Sequence, residues 1–168
     1  MRSLVARWCV IVGFSAVMFG CSGASWQRVT VSPSYHAPKQ LKVAVVTQGN
    51  SEHTAEALQA MQAALAEGLA SSGITATFVA ASDEGLATNL TVTEWDQGVR
   101  ALRWLFGFGA GEASMVVLVK SPSADGQPGV EGTARGWIRS GWFGGSSYDA
   151  ATAAGHLIAA SIANGQKE

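Results

Sequence analysis

The stretch that decides the fold is residues 41–80, "LKVAVVTQGNSEHTAEALQAMQAALAEGLASSGITATFVA". Its first eight residues form a β-branched, apolar run, which is typical of a strand covered on both faces. Apolar side chains then recur at spacings of three and four from Leu58 to Leu69, which predicts a helix that ends near Gly73. Residues 74–80 predict a second strand. The stretch therefore predicts a strand-helix-strand unit with two parallel strands in one sheet.

The second half of the chain predicts an antiparallel pair and a closing helix. After a short strand near residues 89–94, the apolar run of residues 115–119 indicates a central strand. The turn-rich segment "PSADGQPG" then reverses the chain into a partner strand at residues 130–139. A capping-box-like pair, Ser146 and Asp149, begins the last helix. We expect an α/β fold: a single mixed sheet of about five strands with two main helices, in one domain over residues 41–168.

The N-terminus predicts export. Arg2 and Arg7 precede or border an apolar run over residues 8–19, and small residues follow, which is the order of a secretory signal peptide. A membrane-spanning helix needs about 20 apolar residues, so we expect residues 1–20 to be removed as a signal peptide. Residues 21–40 are polar and rich in Ser and Pro, without a sustained period, and predict a tether.

The segment "VMFGCSGAS" resembles the lipobox of bacterial lipoproteins, with Gly20 before the cut and Cys21 as the acylated residue. That resemblance implies attachment of fatty chains such as palmitate to Cys21, and Ser22 implies sorting to the outer membrane. Cys9 would leave with the signal, so Cys21 would be the only cysteine of the mature chain. The alternative is a simple secreted protein whose signal contains two cysteines.

Three alternating glycines precede the central strand: Gly107, Gly109 and Gly111. A phosphate-binding turn needs its glycines after a strand and before a helix, so we expect no nucleotide site here. Glycines in this place favour a sharp bend or a close backbone approach at the entrance to the strand. The formal net charge of −1, without basic runs, also argues against a nucleic-acid partner.

The segment "WDQGVRALRWLFGFGAGEASMVVLVKSPSADGQPG", followed by "GWFGGS" and an Ala-rich last helix, resembles bacterial lipoproteins classed under domain of unknown function 4410. The likeness covers most of residues 90–165. More distantly, the arrangement looks like the periplasmic α/β domains of envelope lipoproteins such as the curli secretion channel. The resemblance implies this fold and a place in the cell envelope, and it brings no established activity or catalytic residue.

Aromatic and basic residues near the end of the predicted sheet indicate a partner surface. Alternation along the strand puts Arg135, Trp137 and Arg139 on one face, and Trp142 and Phe143 follow closely. Protein interfaces are enriched in Trp and Arg. The alternative is that these side chains merely cover the sheet.

A second basic pair, Arg100 and Arg103, would share one face if this segment is helical. On that face it could bind an acidic partner or a lipid phosphate. The alternative is that both are solvated or paired with Glu94 and Asp96.

No pattern for catalysis is present. His36, His53 and His156 lack metal-ligand spacing, and the chain contains neither a nucleophile elbow nor a Cys–His pair in its mature part. We therefore expect no catalytic, cofactor or metal site.

The leading hypothesis is a non-enzymatic lipoprotein at the periplasmic face of the outer membrane, acting as an adaptor, assembly factor or structural component. It would contact the membrane through its lipid, and an envelope protein or further copies of itself. The alternative is a module that binds a lipid or glycan through Trp137 and Trp142.

Overall fold

The computed structural model describes residues 21–48, 54–80, 87–99, 111–139 and 146–165. In these ranges the chain forms six strands and two helices. They are β1 (Cys21–Val31), β2 (Gln40–Thr47), α1 (Thr54–Ser71), β3 (Thr75–Val79), β4 (Ala87–Asp96), β5 (Ala113–Pro122), β6 (Pro128–Arg139) and α2 (Tyr148–Asn164). No helix in the described ranges is long and apolar enough to cross a membrane.

The six strands form one mixed sheet in the order β1-β6-β5-β4-β2-β3. β2 is parallel to both β3 and β4. The pairs β4/β5, β5/β6 and β6/β1 are antiparallel. The prediction of an α/β fold with a single mixed sheet, a strand-helix-strand start and a C-terminal antiparallel pair is confirmed, with six strands instead of about five.

The additional strand is β1, which lies in the segment expected to be a tether, residues 21–40. It pairs with β6 from Cys21 opposite Arg139 to Val31 opposite Val130. The sequence pattern did not predict β1, for two reasons. A register shift between Trp26 and Arg28 breaks the alternation of side chains. β1 is also an edge strand held largely by backbone hydrogen bonds, so it needs few apolar residues.

Both helices pack on the same face of the sheet and enclose the core. Buried side chains of β2, β4, β5 and β6 meet α1 and α2 there, including Val43, Leu90, Val117, Leu65 and Ile158. The helices approach each other closely because Gly155 has no side chain: a Cβ there would overlap the carbonyl oxygen of Met61. Neither described helix covers the opposite face, where Val46 and Leu118 are each 39% exposed.

The chain between β1 and β2 is fixed to the rest of the fold. The Tyr35 hydroxyl donates a hydrogen bond of 2.7 Å to the carbonyl oxygen of Ile162 in the last turn of α2. The backbone N–H of His36 donates to Ser123 Oγ at 3.1 Å. These contacts tie the segment to α2 and to the turn between β5 and β6, so it too differs from a free tether.

Candidate functional site

Cys21 is the first residue of β1, and Arg139, the last residue of β6, is its register partner. Asp96 ends β4 at this same end of the sheet, and Ala113 begins β5 there. We call this region, marked by Cys21, Asp96, Ala113 and Arg139, the Cys21 end. A group attached to Cys21 would therefore be joined directly to an edge strand, with no spacer between it and the sheet.

Trp137 lies on the sheet face that the helices leave open. Its register partners are Gly23 of β1 and Ser114 of β5. The indole ring lies over Gly23, where an added Cβ would be 3.0 Å from Trp137 Cζ2. Trp137 is half-buried in this position. Part of its ring thus packs across strands, as the alternative interpretation of the sequence expected, and part stays accessible to a partner.

Arg135 lies on the same open face and forms an ion pair. Its Nη2 is 3.2 Å from Glu112 Oε1, and the two side chains are 40% and 22% exposed. An ion pair at this exposure contributes up to about 1 kcal/mol, because water screens the attraction. The carboxylate offsets part of the positive charge that Arg135 presents to a partner.

The structure thus brings two of the five predicted surface residues together, Arg135 and Trp137. Arg139 is placed in β6 next to the start of β1, and its side chain is outside the description. Trp142 and Phe143 lie outside the described residues, as do Arg100 and Arg103. The role of this surface stays a prediction.

Of the three glycines before β5, only Gly111 lies within the described residues, and Gly107 and Gly109 lie outside them. Gly111 has a φ of 73°, in the left-handed region where residues with a Cβ are strained. It stands two residues before the first residue of β5, Ala113. The backbone at Gly111 is thus suited to a change of direction at the entrance to the strand.

An aromatic stack close to the Cys21 end was not predicted. Trp95 of β4 and Tyr148 of α2 stack with ring centroids 6.4 Å apart and planes 8° from parallel. Tyr148 also donates a 3.0 Å hydrogen bond to Glu56 Oε2, which links the first turns of the two helices. That bond raises the pKa of the Tyr148 hydroxyl above its ordinary value. Within the described part of the chain, the buried Trp95 Nε1 has no hydrogen-bond partner.

A cleft of about 330 Å³ lies away from the Cys21 end. It is lined by Asn89, Gln127 and a solvent-exposed ion pair between Lys120 Nζ and Glu131 Oε1, 3.3 Å apart. Its lining does not include Arg135 or Trp137. Over the described ranges, no group of three or more His, Cys, Asp or Glu residues could hold a metal ion.

Solved structures share the fold at low sequence identity. The PelC dodecamer from Paraburkholderia phytofirmans is 19% identical, with a TM-score of 0.51, and the match covers 89% of this chain and 100% of that one. A dodecamer of a PelC point variant from the same organism is also 19% identical, with a TM-score of 0.49 and coverage of 88% and 100%. At this identity the likeness concerns the fold alone. No curated protein matches the chain.

A family profile matches residues 27–129, which is more than half of the chain. It is the domain of unknown function DUF4410, so the resemblance seen in the sequence motifs is confirmed. The match also includes β2, α1 and β3, which the motif-based likeness did not reach. Neither the family description nor the names of the structural neighbours indicates catalysis. The chain therefore belongs to the DUF4410 family.

Proposed function

We propose that this protein is a lipid-anchored, self-associating component of the bacterial cell envelope, held at the periplasmic face of the outer membrane. Its role is non-enzymatic, as an assembly factor or structural subunit. The observation that carries the proposal is the coincidence of two features at Cys21. The lipobox-like sequence makes Cys21 the residue that would be acylated, and Cys21 is also the first residue of β1.

The position of Cys21 supports a role in which the protein stands on the membrane. Acyl chains on this residue would bring the Cys21 end of the sheet against the lipid surface, because no flexible segment intervenes. Trp137 packs beside Gly23, two residues from the acylation site. Tryptophan is favoured where one side of the ring is apolar and the other wet, as at a membrane interface.

Self-association is supported by the structural neighbour with a TM-score of 0.51, which is a dodecamer. A non-enzymatic role is supported by the family description and by the names of the structural neighbours, neither of which indicates catalysis.

Binding of a lipid or glycan receives less support. Trp137 packs over Gly23, and Arg135 is paired with Glu112, so both side chains are engaged within the protein. Titration of the protein with envelope lipids or glycans, followed by tryptophan fluorescence, measures this alternative directly. A saturable change with one of them would favour the ligand-binding module.

Fractionation of cells that express the protein tests the anchor. We expect the Cys21→Ala variant to move from the membrane fraction to the soluble fraction. Cys9→Ala is the matched control, because it removes the other cysteine and leaves the acylation site intact. Mass spectrometry of the mature wild-type chain should show acyl mass on its first residue. Membrane partitioning that persists in Cys21→Ala, or a first residue without acyl mass, would contradict the anchor.

A further inference from the structure

The two edges of the sheet are β1 and β3, at opposite ends of the strand order. β3 pairs with β2 on one side, and no strand of the described ranges pairs with its other side. The free side of an edge strand presents backbone N–H and C=O groups that can pair with another chain. Proteins usually protect such an edge with charge, proline or a bulge.

β3 has none of these protections. Its sequence from Thr75 to Val79, "TATFV", contains no charged residue and no proline, and its pairing with β2 is regular. Thr77 is exposed, and the Phe78 side chain is 38% exposed. Threonine, valine and phenylalanine are also strong strand formers. Within the described part of the chain, β3 is therefore an open template for a further strand.

We propose that β3 of one copy pairs antiparallel with β1 of the next copy, so that the sheet continues from subunit to subunit. This inference rests on the anchoring and self-association proposed above. The first argument is strand direction. β3, β2 and β4 run the same way, and three antiparallel steps follow through β5, β6 and β1. β1 thus runs opposite to β3, so two copies in the same orientation form an antiparallel ladder.

The second argument is the membrane. Copies joined β3 to β1 in the same orientation keep every Cys21 at one end, where all lipids can enter one leaflet. An antiparallel pairing of β3 with β3 of a second copy would turn one copy over and put its Cys21 at the far end. A contact between two different surfaces repeats from copy to copy and closes into a ring when the rotation permits. The proposed assembly is therefore a head-to-tail series of copies with all anchors on one side, and it is cyclic where the rotation between copies closes.

The pairing registers of the sheet indicate where the contact begins. The successive register partners across the sheet lead from Val79 of β3 to Thr30 of β1, through Ala44, Asn89, Lys120 and Glu131. With strands parallel to the ring axis, Val79 of one copy would meet β1 of the next near Thr30. A tilt of the strands relative to that axis would shift the contact along β1.

Disulfide trapping in membranes tests the pairing. Val79→Cys would be combined with Thr30→Cys, the pair that the registers place level. Thr77→Cys would be combined in turn with Thr30→Cys, Arg28→Cys and Ser25→Cys, which are exposed positions of β1. An acylated Cys21 has no free thiol, so the introduced pair is the only source of disulfides in the mature chain. After oxidation, at least one double variant should give a ladder of covalent multimers. Thr77→Cys alone should give none, and efficient dimer formation by it would overturn the proposal in favour of β3 to β3 pairing.

A charge at the edge provides the second test. Thr77→Lys should convert the detergent-solubilised protein from multimer to monomer, because a buried lysine in the ladder opposes pairing. Ala63→Lys adds the same charge at an exposed position of α1 and should leave the multimer intact. Equal far-UV circular dichroism spectra of the two variants would exclude misfolding as the cause.

The outcomes separate this inference from the proposed function. A monomeric wild-type protein in membranes, measured by amine-reactive crosslinking, would overturn self-association and the edge pairing together. A multimeric wild type whose Thr77→Lys variant stays multimeric, with no disulfide ladder from any double variant, would overturn the edge pairing alone.

Discussion

The hydroxyl of Tyr35 donates a 2.7 Å hydrogen bond to the carbonyl oxygen of Ile162, joining the segment after β1 to the last turn of α2. The ring also lies within contact distance of Gly165, the residue that ends the helix in a left-handed conformation. We expect Tyr35→Phe to lower the free energy of unfolding by about 1 kcal/mol, because it deletes one partly buried hydrogen bond and keeps the ring. Urea unfolding measures the loss. Ser34→Ala removes an exposed hydroxyl and should cost less; an equal cost would contradict the assigned bond.

Stability should fall in alkaline solution through the same residue. Burial raises the pKa of Tyr35 above its ordinary value of 10.0, and a hydrogen bond with Ser121 lowers it by less. The unfolded chain therefore loses this proton first as the pH rises. The stabilisation is complete below pH 10.0 and is lost as the pH rises through the higher pKa of the folded state.

The measurement is the free energy of unfolding between about pH 9 and pH 11, because about one unit either side of the ordinary tyrosine pKa needs to be covered. Tyr35→Phe should show a shallower decline than the wild type. Tyr148→Phe is the comparison, since the pKa of Tyr148 is raised first by its bond to Glu56 and less by burial. Identical slopes for wild type and Tyr35→Phe would show that Tyr35 does not titrate differently on folding.

Gly155→Ala should destabilise the fold even though alanine favours helices. The new Cβ would overlap the carbonyl oxygen of Met61 and lie 3.0 Å from Ala64 Cβ, so α1 and α2 would have to separate. Overpacking of this kind costs about 1–3 kcal/mol, more than the gain in helix propensity. Thermal unfolding gives the sign. A higher midpoint in Gly155→Ala would mean that the helices are less closely packed than described.

The buried hydroxyl pair Thr88 and Ser121 should show strong coupling. Ser121→Ala leaves the Thr88 hydroxyl buried without its 2.8 Å partner and should cost about 1–3 kcal/mol. Thr88→Val in the same chain replaces the orphaned hydroxyl with a methyl group and should recover part of that loss. A double-mutant cycle in chemical denaturation measures the coupling. Additive effects of the two substitutions would contradict a direct bond.

Sequence reasoning succeeded where periodicity is set by one buried face. The strand-helix-strand start was predictable because Met61, Leu65 and Leu69 recur at helical spacing and are all fully buried. β1 was not predictable, because its backbone pairing with β6 and the 2.9 Å hydrogen bond from Trp26 Nε1 to Ser161 Oγ in α2 both join distant parts of the chain. Two residues so far apart in the chain leave no local pattern.

The start of α2 was located to within two residues, although the chemistry differs from a capping box. Ser146 Oγ accepts a 3.3 Å hydrogen bond from the backbone N–H of Tyr148, whereas Ser147 gives the helix no side-chain cap. The Ser147 hydroxyl instead donates a 2.8 Å bond to the carbonyl oxygen of Gln97, after β4. The candidate surface was predictable only as far as strand alternation reaches, to Arg135 and Trp137. The ion pair of Arg135 with Glu112 depends on how the chain enters β5, which spacing does not encode.

With the proposed acylation, no flexible linker separates the lipid from the fold, because β1 begins at Cys21. A strand of this length extends about 36 Å at the usual rise per residue, so the whole body would stay within roughly that height of the bilayer. Such a molecule is a short folded body held directly at the headgroup layer. A binding partner therefore has to reach the lipid surface or extend out of the membrane to contact the protein.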